Sequence, residues 1–486
     1  MRARAFLLLA PLLLAGCDAL EVDDHRVVVS VIGSDLSEGD PGRGPVDPAR
    51  AAYVSATAQG LVSFDAAGEI APGLAERWIV SDDGLAYDFR LRRTAFAGGR
   101  EVDAERVARL LRAMVAKNSR NPLLPVLGAV DRIVAMPNQV VEIRLRGPRP
   151  NLLQLLAQPE MALTYDGRGT GPFAAEIDGK TVARLTLPAP NAVGEDGGAA
   201  PALDPVILHA ERVGRAIARF RRDESDAVLG GTFLNLAVGQ AAKLPPTAWH
   251  FDPVEGLFGL VVADTSGFLA LPGKRTVLAM ALDRAALLAP FSAQGWTAQT
   301  AIVPRGMPDL PTPAEPGWAN LDLAVRRAIA VQTVTRWREE HEGAAPHLRV
   351  AIPQGPGATV LFALLARQWR EIGVTAERVA ADADADLRLV DSVAPADNAA
   401  WYLRHFSCDR SPACDPTADA ALVAARFATT LPARAAALAQ ADRILVGTVP
   451  FIPLARPLRW SLAYKLDGFQ ANRRGVHPLR PLVDTD

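Results

Sequence analysis

The chain holds three cysteines in 486 residues, and thiols are its most distinctive chemical groups. Cys17 closes an apolar run, Phe6 to Leu14, followed by the small residues Ala15 and Gly16. Arg2 and Arg4 make the other end of that run basic. A basic end, a short apolar core and a small-residue site form the layout of a secretory signal. Cys408 and Cys414 lie six apart in FSCDRSPACD. Outside the cytoplasm such a pair is expected to close a small loop as a disulfide. Zinc would need two more ligands, and only His405 is near. Asp382, Asp384 and Asp386 alternate as in calcium loops. They lack the central Gly and the late Glu, and they run straight into an apolar strand, so a solvated loop is expected. There is no G-x-S-x-G elbow, no H-E-x-x-H and no phosphate-cradling G-x-x-x-x-G-K-[ST]. Seven scattered histidines offer no nucleophile paired with a base in sequence. No metal, cofactor or catalytic group is expected, and the chain reads as a non-enzyme.

The elements that must hold any site alternate between strand and helix. VVVSVI at 27–32 is a continuous β-branched run and predicts a buried strand of a parallel sheet. Asp82-Asp83-Gly84 divides two alternating pieces and predicts a hairpin. A second hairpin is expected to turn at Pro137-Asn138. Asp103 before apolar residues at 107, 110, 111 and 114 predicts a capped amphipathic helix. TYDGRGTGPFAAE (164–176), which contains GTGPF (169–173), is followed by a segment rich in Pro, Ala and Gly up to about Pro205. From there PVILHA, DAVLG, GLFGLVVAD, LRVAIPQ and ADLRLVDSVA read as strands, separated by helices that include RTVLAMALDRAALLAPF as one helix. That alternation implies α/β architecture with parallel sheets under helices. The length suits two or three domains. A net charge of −2 and dispersed basic residues argue against a nucleic-acid partner. Beyond the first residues, no stretch has the about 20 apolar residues a membrane span needs.

Leu14-Ala15-Gly16-Cys17 resembles the lipobox of bacterial lipoproteins. That resemblance implies removal of residues 1–16, a diacylglycerol anchor on Cys17, a lipidated linker over 17–26, and a place in the periplasm or on the exterior of the envelope. GLVSFDAAGEIAPGLAERWIVSDDGLAYDFRLRRTAFAGGREVDAERV, GTGPF, LAMALDRAALL, LLARQWREIGV and ADRILVGTVPFIPLARP follow one another along the chain. In that order they resemble the extracytoplasmic solute-binding proteins of family 5, the dipeptide-, oligopeptide- and nickel-binding components of ABC importers. The resemblance implies a type II periplasmic-binding-protein fold, with two lobes around a hinge and a third, inserted subdomain. Lobe I is expected over 27–49, 166–252 and 447–486, the insert over 50–165, and lobe II over 253–446. It implies a monomer that passes a small, peptide-like solute to a membrane permease.

In the peptide-binding members an Asp after a lobe II strand holds the ligand's α-amino group. The matching stretch here is RLVDSVAPADNAAWYLRHFSC, where Asp397 is the best positional match and Asp391 the next. The Tyr-Pro-Asp-Pro setting of the family is absent. Trp401 and Tyr402 follow and offer aromatic area with a polar handle. Trp249, His250 and Phe251 lie at the expected crossover, and Tyr165, Asp166 and Arg168 precede GTGPF. Gly169 and Gly171 are expected to supply backbone angles that a β-carbon forbids. Rival readings are a secreted hydrolase and an envelope scaffold lipoprotein of the same fold that carries no solute.

Overall fold

The structure is a computed structural model that describes residues 26–36, 40–44, 46–187 and 205–483. The signal segment, Cys17 and nearly all of the expected linker lie outside the described residues. Two large sheets, a four-stranded sheet and a two-stranded ladder organise the described residues.

The first sheet has seven strands in the spatial order 249–252, 459–463, 227–232, 28–32, 206–211, 182–186, 174–178. Val28–Ile32 is central and pairs in parallel with Val206–Glu211 and Ala227–Thr232. Its β-branched run is buried because neighbours flank it and helices cover it. The outer strands are antiparallel, so the sheet is mixed rather than wholly parallel. The antiparallel part includes an unforeseen hairpin, Ala174–Asp178 with Val182–Thr186, at the start of the Pro-, Ala- and Gly-rich segment. Its alternation was hidden in an Ala- and Gly-rich context.

The insert carries a four-stranded antiparallel sheet, 75–80, 86–91, 140–145, 130–136 in spatial order. Both expected hairpins are present. Asp103 caps Ala104–Val115, its carboxylate accepting from the Arg106 amide at 2.7 Å. Val107, Ala108, Leu111 and Met114 form the buried stripe that covers this sheet.

GTGPF docks on the end of the helix Pro48–Thr57. The Gly171 and Phe173 amides donate to the Thr57 and Ala56 carbonyls at 2.9 and 3.0 Å. Neither Gly169 nor Gly171 has a positive φ, which corrects the expected reason for them. They are needed for close approach: a Cβ on Gly171 would lie 2.3 Å from the Thr57 carbonyl carbon, and one on Gly169 2.3 Å from the Ala58 Cβ.

The second sheet has five strands in the order 375–379, 347–351, 387–393, 256–262, 451–455. The first three run parallel, and the last two are antiparallel to their neighbours. Phe451–Ala455 belongs to this sheet, so the chain returns to the first sheet after Ala455, later than the expected 446–447 boundary. The run RTVLAMALDRAALLAPF is not one helix. It breaks into Pro272–Met280 and Arg284–Leu288 because Asp283 caps the second piece, accepting from the Ala286 amide at 3.0 Å.

The two crossings lie side by side. Trp249–Asp252 pairs with Arg459–Ala463 in the first sheet, and Gly256–Val262 pairs with Phe451–Ala455 in the second. Pro253 stands in one crossing and Pro457 in the other. Proline offers no amide donor, and the pairing stops at Asp252↔Arg459 and resumes at Phe258↔Ala455. Phe233 and Phe258 meet edge to face across this junction, ring centres 4.8 Å apart. The result is two lobes joined by a two-strand hinge, with the insert on the first.

Candidate functional site

A cavity of about 560 Å³ opens between the sheets. Val31, Leu229, Gly230 and Gly231 bring to it the C-terminal ends of two parallel strands, the usual ligand position in open α/β sheets. Gly230 has φ +80° at a bulge where the register shifts. A β-carbon there would be strained and would sit 2.9 Å from Pro48. The insert contributes Leu123, Gln158 and Glu160, and the second lobe contributes Asp391–Pro395, Trp401 and His405. The loop 474–477, after the last strand, completes the wall. A second cavity, of about 350 Å³, lies between the insert, GTGPF and residues 476–481. No second-lobe residue lines it, so closure of the hinge would not shut it.

Most charges in the interlobe cavity have partners. Arg459 pairs with Asp391 at 2.9 Å. His477 meets Asp252 at 3.1 Å, and Asp252 also accepts from the Asn472 amide at 2.9 Å. His405 uses Nδ1 on the Trp401 carbonyl at 2.8 Å, which leaves Nε2 free of that bond, and burial lowers its pKa. Glu160 differs. Among the described residues its carboxylate makes no ion pair, and burial pushes its pKa up against only the pull of its own amide. A half-buried acid facing a cavity without a counter-charge calls for a cation.

Asp397 lies beside the cavity with both oxygens engaged. Arg474 donates to Oδ2 at 2.8 Å and to Oδ1 at 3.2 Å, Gln154 donates to Oδ2 at 3.0 Å, and Arg473 stands 3.5 Å away. The Asp397 amide donates to Gln154 Oε1 at 2.8 Å. Burial raises its pKa, but the bonds and charge of Arg474, with help from Gln154 and Arg473, outweigh it and hold the group below its usual value. Gln154 belongs to the insert, and Arg474 to a loop tied to Asp252 through Asn472, so these bonds cross the seam between lobes. The neighbouring Ala396 is buried in the apolar core of the insert.

Of the expected contact residues Trp401 and the second-choice acid Asp391 line the interlobe cavity, and Asp391 is already paired with Arg459. Tyr402 points the other way, fully buried in the second lobe's core with its hydroxyl unpartnered, and burial drives its pKa well up. Trp249 packs on Trp460 and Phe251, and His250 Nε2 meets the Ala463 carbonyl at 3.1 Å, away from the cavity. Tyr165 stacks near Phe96 under Arg100 and Arg106, and Arg168 lies exposed beside Gly98. Asp166 is an exposed turn residue with φ 49°. Cys408 and Cys414 are bonded to each other. Sequence reasoning overlooked Glu160, Arg459, Arg474 and His477. Glu160 had a signal: a lone acid between Pro159 and the apolar Met161–Leu163. Among the described residues no cluster of three or more His, Cys, Asp or Glu is placed to hold a metal, and no helix is long and apolar enough to cross a membrane.

The sequence profile of the bacterial extracellular solute-binding proteins, family 5 (middle region), matches residues 69–407. The nickel-binding periplasmic protein of Escherichia coli K12 is 32% identical over 100 residues, a match covering 20% of this chain and 19% of that protein. Among solved structures, the murein tripeptide binding protein MppA of Escherichia coli matches with a TM-score of 0.78 at 17% identity, over 94% of this chain and 97% of the other. OppA of Haemophilus influenzae, in complex with the peptide RPPGFSPFR, matches at 0.77 and 15%, over 94% and 98%. NikZ of Campylobacter jejuni, in complex with Ni(L-His), matches at 0.72 and 18%, over 94% and 99%. At these identities the matches establish a shared fold, the type II periplasmic-binding-protein fold.

Proposed function

The chain belongs to the bacterial extracellular solute-binding proteins of family 5, and from that premise we propose that it captures a small, peptide-like solute in the interlobe cavity and hands it to an ABC importer permease. Residues 27–49, 166–252 and the chain after about 455 act as one lobe, 50–165 as its insert, and 253 to about 455 as the other. Cys17 carries the lipid that keeps the monomer at the membrane outside the cytoplasm. The observation that carries this reading is a cavity walled by both sheets and the insert, lined by Glu160, an acid with no ion pair among the described residues. Closure traps a solute only if it touches both walls, since equal affinity for open and closed forms shifts nothing. An ammonium group on the solute supplies the charge that Glu160 lacks. Asp397, expected to fill that role, already has Arg474. The cavity suits a compact solute of a few residues rather than a long peptide.

The test begins with native mass spectrometry of protein purified from its own host, to find co-purified molecules. Tryptophan fluorescence then follows titration with free dipeptides and their N-acetylated counterparts, with Trp401 inside the cavity as reporter. The expected result is binding with compaction in solution scattering, and a loss of about tenfold or more in affinity on N-acetylation or in Glu160→Gln. No compaction with any co-purified molecule would favour a scaffold. Equal binding of the acetylated forms would remove Glu160 from its role.

A further inference from the structure

A third, much smaller cavity lies on the seam between the insert and the second lobe, and four arginines line it: Arg149, Arg404, Arg426 and Arg434. Arg149 is 6% exposed, and among the described residues its guanidinium donates only to carbonyls, those of Pro148 at 2.7 Å and Arg426 at 2.6 Å. Arg434 is 4% exposed and has one acid, Asp309, at 3.0 Å. Arg404, ending the helix Ala399–Arg404, and Arg426, in the last turn of Pro416–Phe427, have no ion pair among the described residues. The Nε of each is buried without a hydrogen-bond partner. Arg426 is pressed against the insert so closely that a Cβ on Gly128 would lie 2.6 Å from its Nη2.

Guanidinium groups gathered where water is scarce repel one another more strongly than on a wet surface. Burial together with neighbouring arginines lowers the pKa of Arg149 to about 10 and pulls that of Arg404 down, Asp309 offsetting the first and Asp409 and Asp419 the second only in part. A counter-ion removes this cost and satisfies the idle donors through charge-assisted bonds. We infer that the pocket binds one small inorganic anion of chloride size between Arg149 of the insert and Arg404 and Arg426 of the second lobe. The space, about 20 Å³, admits a particle little larger than a water and no organic solute. Because the two walls belong to different sides of the seam, the anion binds the closed form better than the open one. It therefore biases closure, and by reciprocity a closing solute raises anion affinity. This last step rests on the hinged-capture reading, whereas the site itself does not.

Bromide serves as the probe for location. Anomalous diffraction from crystals grown in sodium bromide is expected to show an ion in contact with Arg149, Arg404 and Arg426. The unfolding midpoint is then compared in chloride and in gluconate at equal ionic strength. It is expected to rise with chloride, and Arg404→Gln and Arg426→Gln each to need about 10- to 100-fold more chloride for the same rise. Two variants guard against one failing to fold. An empty pocket in bromide, or variants that respond to chloride as the parent does, would overturn the site. A bromide in place with a radius of gyration indifferent to chloride would keep the site and overturn its part in closure.

Discussion

Arg474→Met is expected to open the solute-free protein without unfolding it. Arg474 grips Asp397 through two bonds, 2.8 and 3.2 Å long, and the side chains are 9% and 17% exposed. Breaking a fully buried pair by removing one partner typically costs 3–5 kcal/mol. The residual exposure, Gln154 at 3.0 Å and Arg473 at 3.5 Å soften the loss, so about 2 kcal/mol is the reasonable figure. The pair joins the two sides of the seam, so that energy falls on the closed–open balance, a shift of about 30-fold toward open. Solution scattering on Arg474→Met, Asp397→Asn and the double variant reads it as a larger radius of gyration. The double variant should be no more open than Arg474→Met alone, because the two changes remove one interaction. Acid should mimic the change. Asp397 is held below its usual pKa, so its contribution is complete above the unfolded value of about 4 and fades as pH falls through the lower folded value. Scattering curves for Arg474→Met that superimpose on the parent's, or single effects that simply add, would refute the reasoning.

Three further outcomes follow from single groups. Asp442 is fully buried, accepts among the described residues only from the Ala314 amide at 2.6 Å, and burial pushes its pKa up to about 6. A raised carboxyl weakens the fold increasingly as pH climbs from about 4 to about 6, so Asp442→Asn should stabilise by up to about 2–3 kcal/mol at pH 7.5 and by little near pH 4, as read by urea unfolding. Gly171→Ala places a methyl 2.3 Å from the Thr57 carbonyl carbon and should destabilise by about 2 kcal/mol or more, again by urea unfolding. Affinity for an amine-bearing solute should decline on acidification while the pH is still above the ordinary carboxylate range, because burial raises Glu160; calorimetric titration across pH checks this, and Glu160→Gln should flatten the profile.

Local pattern carried much of the fold into view. The two insert hairpins and the Asp103-capped helix rest on alternation, turn residues and a cap, each set local in sequence. The break at Asp283 was hidden because its apolar run fits one helix as well as two, and only the caps decide. The site was less legible, for two physical reasons. Trp401 and Tyr402 are adjacent on a helix, where successive side chains diverge by about 100°, so only one could face the cavity; composition cannot supply that phase. The charge partners are also remote in sequence. Asp397 meets Arg474 across 77 positions and Gln154 across 243, and Asp252 meets Asn472 across 220. Whether a carboxylate is free for a guest depends on such distant pairings: Arg474 and Gln154 engage Asp397, whereas Glu160 makes no ion pair among the described residues.

Pro253 and Pro457 localise bending to two short antiparallel straps, so each half can travel as a stiff plate with its internal spacing kept. The molecule is thereby a ready-made caliper. Dyes fixed at exposed Ile79 on one plate and exposed Val423 on the other would convert the gap between them into an optical signal, and the straps would need no redesign.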